Sequence, residues 1–239
     1  MMPRMIDHLE NPESLPEGLL KFLRCAPSPK SAVHLEGMLR RISAAHMAND
    51  TKQLRYLIQE YLSSLDAKLT ATRQAARKMD GKYRPKELET IALNLNAYEG
   101  TQEEAKLFLK RKSRNTFRPT LDFGIENRAL QYLVASVLYA IADVHPHQFL
   151  IHGGTPAAIA HVVTAMKTGN LWARETDISD CYPSFDADRL ADLIPLPKRV
   201  IERVLISQHL NIVLGNLPRS LRDDSVPTPD EALTPTTGH

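Results

Sequence analysis

Apolar residues recur at three- and four-residue steps through much of residues 1–100, which is the spacing of helices with one buried face. The pattern is clearest over residues 54–65, where the apolar side chains are Leu54, Leu57, Ile58, Tyr61, Leu62 and Leu65. Residues 19–48 also follow the helical period, with an interruption near Pro27 and Pro29, and another helix is predicted over residues 88–95. The pattern therefore predicts a helical N-terminal region spanning residues 1–100.

The pattern becomes mixed after residue 100. Thr101 and Glu104 have the spacing of a capping box, which predicts a short helix running into the basic residues that follow. Residues 116–123 predict a strand, because alternate apolar side chains fall on one side and Pro119 favours an extended backbone at the residue before it. Further along we expect a long core helix over residues 130–141 and a second helix over residues 155–169, bracketed by Thr155 and Gly169. A strand over residues 171–178 and a last helix over residues 197–213 follow.

These elements predict an α+β fold in three parts. The helical region, residues 1–100, is followed by a mixed region, residues 101–215, and by a proline-containing flexible tail, residues 216–239. A chain of 239 residues with 43% hydrophobic and 24% charged residues is long enough to bury a sizeable core.

Composition narrows the class of protein. The sequence contains no apolar run of about eighteen residues and no signal-peptide pattern, so we expect a cytoplasmic protein with no membrane partner. Cys25 and Cys181 lie far apart in sequence, which argues against a disulfide framework or a structural zinc site.

Positive charge is concentrated in two runs, although the formal net charge is only +2. Residues 67–86 hold seven basic residues and the single acid Asp80, and residues 105–121 hold six basic residues and no acid. A basic run is often only a solvated face, but it is also what binding to a phosphate backbone requires. We therefore take the first run as a candidate nucleic-acid-binding segment, with Arg73, Arg77, Lys78, Lys82 and Arg84.

The most specific segment is residues 175–186, which includes Asp177, Ile178, Asp180, Cys181 and Tyr182. A carboxylate at the end of a strand can hold catalytic metal ions, and a tight turn after it presents backbone N–H groups to a triphosphate. Read without further context, Asp177 is an ordinary turn or capping residue. The segment resembles the first catalytic motif of reverse transcriptases, an Asp, an Ile or Val, two variable residues, a Cys or Ala, and an aromatic residue.

A second segment, residues 117–131, is similar to the fingers motif of the same family. The resemblance implies that Arg118 grips the triphosphate of the incoming nucleotide. A second basic position, seven residues earlier in retroviral enzymes, falls on Arg111, although Lys112 or Arg114 fits the same role. Charge-assisted contacts to phosphate oxygens suit any of these side chains. Together with the order of elements between them, the two motifs extend the resemblance over residues 105–214.

The resemblance implies a helical region followed by the fingers and an incomplete palm of a right-hand polymerase. Its reaction is template-directed nucleotidyl transfer with two Mg²⁺ ions, for which Asp177 and the carbonyl of Ile178 supply ligands. The turn at Asp180 and Cys181 contacts the triphosphate, and Tyr182 lies under the sugar. The implied partners are an RNA template, a DNA or RNA primer and a deoxynucleotide.

The sequence departs from the family in one respect. No Tyr/Phe-x-Asp-Asp motif follows Gly215, and one carboxylate cannot hold two divalent ions about 4 Å apart. We therefore expect this chain to be inactive as a polymerase on its own. Two alternatives remain open: a non-catalytic RNA-binding or interaction module derived from a reverse transcriptase, and one half of a polymerase completed by a second chain that carries the missing palm.

Overall fold

The structure, a computed structural model, describes residues 16–79, 83–111, 117–142, 148–149, 154–170, 172, 174–176, 186, 189–206 and 209–215. Helices and a small mixed sheet make up the described part, so the α+β prediction is confirmed at that level. No helix in this part combines the length and the apolar character needed to cross a lipid bilayer.

The predicted helical region is formed by five helices in the described residues below 100. They are α1 (Glu17–Leu23), α2 (Pro29–Met47), α3 (Thr51–Ser63), α4 (Leu65–Arg77) and α5 (Pro85–Asn94). Three of them begin at a polar side chain that accepts a backbone N–H from the first turn: Ser28 from Ser31, Asp50 from Gln53 and Ser64 from Ala67. Ser64 also ends α3, so this single residue with an extended backbone separates α3 from α4.

The core forms around α6 (Ile125–Ile141), the long helix that the sequence predicts. Leu130, Leu133, Val134 and Val137 are almost completely buried on it, and α2 and α4 pack against it. The hydroxyl group of Tyr61 on α3 lies 2.8 Å from that of Ser136 on α6. The same apolar cluster continues into Leu196, Val200, Ile201 and Val204, so helices from both parts of the chain share one core.

The sheet has three strands in the order β2-β1-β3. β1 (Glu104–Arg111) pairs with β2 (Phe117–Phe123) as an antiparallel hairpin and with β3 (Asn211–Leu214) in parallel. The strand predicted at residues 116–123 is therefore confirmed as β2. The helix predicted from Thr101 and Glu104 is wrong, because residues 104–107 alternate between exposed and buried side chains and pair on both sides as the central strand.

Two further predictions near the C-terminal end need correction. The last predicted helix, residues 197–213, divides into a short helix (Lys198–Val200), a π-helical segment (Ile201–Leu205) and β3. Another short helix, Leu190–Leu193, precedes it. The strand predicted over residues 171–178 is not formed at its described positions, Trp172 and residues 174–176, which are exposed and have no regular secondary structure. A strand requires a hydrogen-bonded neighbour, and the described sheet places only β1, β2 and β3 side by side.

The helix predicted between Thr155 and Gly169 is confirmed as α7 (Gly154–Lys167). Gly169 follows it with a φ of +100°, the left-handed conformation that ends many helices and that glycine adopts without strain.

Candidate functional site

The hairpin of β1 and β2 places basic side chains on one face of the sheet. Lys110 lies directly opposite Arg118 in the register, and both side chains are exposed. Because side chains alternate along a strand, Lys106 and Phe108 share this face with Lys110, and Thr120 shares it with Arg118. The acids Glu104 and Asp122 lie on the same face, at its end near β3 and α6. We use the name cationic face for Lys106, Phe108, Lys110, Arg118 and Thr120.

Arg111 does not belong to the cationic face. It is the residue after Lys110 and pairs with Phe117, so alternation assigns it to the face that also carries Ala105 and Leu107, both of which are buried. The structure therefore brings Lys110, rather than Arg111, beside Arg118. The spacing of seven residues before Arg118 points to Arg111 and misses Lys110. The position of a cross-strand neighbour depends on the register of the hairpin and not on a fixed spacing.

Lys110 and Arg118 form a cross-strand pair of two positive charges. Two like charges directly opposite each other on an antiparallel ladder repel. Asp122, which lies opposite Lys106, is engaged by Arg128 on α6, whose guanidinium donates to its Oδ1 at 2.7 Å and to the Phe123 carbonyl at 2.7 Å. An anion bound between Lys110 and Arg118 would relieve their repulsion.

Phe108 adds an aromatic surface between the two lysines of β1. The N–H of Gly215 donates to the carbonyl of Leu107 at 2.9 Å, which holds the end of β3 beside this part of β1. A Cβ atom at position 215 would overlap the Phe108 ring, so the ring lies directly on the glycine backbone. Basic side chains with an aromatic ring among them are the combination that proteins use to bind single-stranded nucleic acid.

The N-terminus of α6, at the end of β2, is occupied by a side chain of the protein itself. Helix N-termini bind phosphate readily, but here the carboxylate of Glu103 accepts the backbone N–H of Asn127 at 2.9 Å, and the Asn127 amide donates back to the Glu103 carbonyl at 3.2 Å. Burial raises the pKa of Glu103, the N–H of Asn127 opposes that shift, and the nearby charge of Glu126 adds to it. This helix end is therefore not available as a phosphate site.

Two side chains of the first basic run, those of Arg73 and Arg77, contact another part of the chain, although Arg77 remains exposed. Arg73 donates to the carbonyl of Ala26 at 3.3 Å, and Arg77 donates to the thiol of Cys25 at 3.2 Å. Both therefore tie α4 to the loop between α1 and α2, which sequence reasoning did not anticipate. Lys78 and Arg84 are exposed, while Lys82 lies outside the described residues. Burial raises the pKa of the Cys25 thiol, and the two arginines oppose that shift.

The predicted catalytic motif lies outside the described residues. This applies to Asp177, Ile178, Asp180, Cys181 and Tyr182, and also to Lys112 and Arg114 in the second basic run. In the part of the chain that the structure describes, no group of three or more His, Cys, Asp or Glu side chains is arranged to hold a metal ion. The two-Mg²⁺ site thus stays a prediction that rests on the resemblance.

The chain matches no protein-family model, no curated protein and no solved structure.

Proposed function

We propose that the chain carries the fingers and the first palm motif of a reverse-transcriptase-like polymerase, and that the cationic face binds the triphosphate of the incoming deoxynucleotide. The observation that carries this proposal is the Lys110–Arg118 pair, two exposed cations held side by side by the hairpin register. Arg118 is the residue for which the sequence resemblance implies the same role.

The chemistry of the pair fits a polyphosphate. The guanidinium group can contact two phosphate oxygens at once, and the lysine supplies a second positive charge close to it. In nucleotidyl transfer, cations at this position neutralise the charge that develops on the departing pyrophosphate. Mg²⁺, held in this proposal by Asp177 and the carbonyl of Ile178, would supply the charge that activates the attacking hydroxyl group. The proposal also places the protein in the cytoplasm.

Binding of a deoxynucleoside triphosphate to single variants tests the proposal. Arg118→Ala and Lys110→Ala should each weaken the binding of dTTP about tenfold, since each removes one charge-assisted contact. Lys52→Ala is the matched control, because Lys52 is an exposed lysine at the start of α3, away from the sheet, and should leave the affinity unchanged. Equal affinities for all three variants, measured by calorimetry at low salt, would refute the proposal.

A non-catalytic RNA-binding module is the second candidate function. Trp172 and residues 174–176 lie in exposed, irregular backbone, whereas a catalytic Asp177 requires a strand to hold its carboxylate. The two functions differ in their response to Asp177→Asn. In the polymerase, the substitution should abolish the Mg²⁺-dependent part of triphosphate binding; in the RNA-binding module, it should change neither triphosphate nor RNA binding.

A further inference from the structure

The helix α7 has the composition of a buried helix but is not buried. Among the longer helices that the structure describes, α2 to α6 each bury at least one residue, whereas α7 buries none. Residues 154–166 contain no Asp, Glu, Lys or Arg, and the first charged residue of the helix is Lys167. A helix with so little polar surface is normally covered by a neighbouring element.

The exposed apolar side chains of α7 form one stripe. Four of them are each 43–59% exposed and recur at the three- and four-residue steps that place side chains on one helix face: Ile159, Val162, Val163 and Met166. We call these four residues the α7 stripe. His161 points from the opposite face, where its ring lies 5.5 Å from the ring of Phe149. This contact within the chain therefore leaves the α7 stripe uncovered.

The α7 stripe has the same spacing when it is read from either end. Its two central valines are flanked, three residues away on each side, by the longer side chains of Ile159 and Met166. Two antiparallel copies of the helix would place Ile159 of one opposite Met166 of the other, and valines opposite valines, which is the self-complementarity that a twofold axis requires. In a parallel pair, the two Lys167 side chains would lie side by side and repel.

The charges around the α7 stripe favour a second copy over other occupants. Helices that lie on a lipid surface carry several Lys or Arg side chains on their polar face, whereas Lys167 is the only one on α7. A different protein is usually selected by charges that complement its own, and residues 154–166 offer none. A second copy of α7 needs no such charges and meets no repulsion when the helices are antiparallel.

The area of the α7 stripe sets the strength of such a contact. At these exposures the four side chains present roughly 400 Å² of apolar surface, within the range of functional patches on soluble proteins. Two copies would together bury about 800 Å² from these side chains, which is the size of weak and reversible interfaces. The area therefore favours a dimer that dissociates on dilution.

We propose that α7 is a self-association surface, on which two copies of this chain form a twofold-symmetric dimer through antiparallel α7 stripes. The dimer is in reversible equilibrium with the monomer, with a dissociation constant in the micromolar range or weaker. The proposal does not depend on the polymerase assignment, because neither the cationic face nor Asp177 takes part in the contact.

Sedimentation equilibrium of the full chain, from low micromolar to submillimolar concentrations, tests the proposal. The average mass should rise with concentration and stop at that of the dimer, since a twofold contact closes on itself. Val163→Glu buries a charge at the centre of the contact and should raise the dissociation constant at least about tenfold. Val33→Glu is the matched control, the same substitution at an exposed valine on α2, and should leave the dissociation constant unchanged.

Two further variants test the antiparallel arrangement. Ile159→Glu and Met166→Lys should each weaken self-association when studied alone, because each places a charge against an apolar side chain. An equimolar mixture of the two should form a heterodimer, since the antiparallel pair brings the introduced carboxylate opposite the introduced ammonium group. All of these positions are exposed in the single chain, and circular dichroism of each variant excludes loss of fold as the cause.

Three results would overturn the proposal. One is a chain that stays monomeric at every concentration, in which case another segment of the chain, a different protein or a lipid surface covers the α7 stripe. Another is self-association that a folded Val163→Glu variant retains unchanged, which would assign the contact to a different surface. The third is a mixture of Ile159→Glu and Met166→Lys that associates no more strongly than either variant alone, which would exclude the antiparallel pair.

Discussion

At the scale of single residues, the capping of α6 by Glu103 depends on the absence of a side chain at Gly124. Gly124 precedes α6, and a Cβ atom there would overlap the Glu103 carboxylate that caps the helix. Gly124→Ala should therefore displace the carboxylate from the N–H of Asn127 and lower the free energy of unfolding by about 0.5–2 kcal/mol, the usual cost of a lost N-cap. Urea unfolding measures the change. In a Glu103→Ala background, where the cap is already absent, Gly124→Ala should cost much less.

Gly37 is the control for this prediction. It lies in the middle of α2, exposed, and a Cβ atom there would meet nothing within 4 Å. Gly37→Ala should stabilise the protein by about 0.5–1 kcal/mol, because alanine fits the helix and loses less backbone entropy on folding. If Gly124→Ala stabilised the protein as Gly37→Ala does, Glu103 would not act as the cap.

Glu103 also predicts a pH dependence of stability. Burial raises its pKa in the native state above the ordinary value of 4.5. Between that value and the raised native pKa, the native state keeps a proton that the unfolded state has lost, so the free energy of unfolding should fall as the pH rises through this window. Glu103→Gln removes the titration. Relative to this variant, the unchanged protein should be most stable below pH 4.5 and lose that advantage at higher pH; a parallel pH profile of the two proteins in urea titrations would refute this.

At the scale of elements, the register of the hairpin predicts different effects on stability for a glutamate at Lys110 and at Arg111. Lys110→Glu converts a repulsive cross-strand pair with Arg118 into an attractive one and should stabilise the hairpin by about 0.2–1 kcal/mol, while it abolishes triphosphate binding at the cationic face. Arg111→Glu, on the other face, should not produce this stabilisation through Arg118. Thermal unfolding combined with dTTP titration separates the two variants. Stabilisation by Arg111→Glu and not by Lys110→Glu would show that the register is shifted by one residue.

Elements with a strong local signal were predictable from the sequence, whereas pairing partners were not. The periodic apolar positions of α3 and α6, and the alternation with Pro119 in β2, depend on near neighbours in sequence. β3 depends on β1, more than one hundred residues earlier, so the sequence pattern alone assigned residues 211–213 to the last predicted helix. The same limit applies to the candidate site: Arg118 was proposed from local sequence, whereas its neighbour Lys110 depends on the register. The contacts of Arg73 and Arg77 depend on the α1–α2 loop.

At the scale of the whole molecule, the two basic runs differ in the contacts that their described side chains make, although their composition is similar. In the first run, Arg73 and Arg77 on α4 donate hydrogen bonds to the α1–α2 loop, next to the core that joins α2, α3 and α4 to α6. In the second run, Lys106, Lys110 and Arg118 are exposed on the sheet. Substitutions at Arg73 and Arg77 should therefore act mainly on stability. Substitutions in the cationic face should act mainly on binding.

The salt dependence of nucleic-acid binding tests this division. If about four to six basic residues contact phosphate, the affinity for an RNA–DNA hybrid should fall with a log–log slope of roughly −3 to −5, because each neutralised phosphate releases counterions. Lys110→Ala and Arg118→Ala should each make the slope shallower by about one. Arg73→Ala should leave the slope unchanged and lower the free energy of unfolding by about 1 kcal/mol, since it removes a hydrogen bond to the Ala26 carbonyl. Fluorescence anisotropy at several salt concentrations gives the slopes, and a slope that responds to Arg73→Ala but not to Arg118→Ala would assign nucleic-acid binding to α4 instead of the sheet.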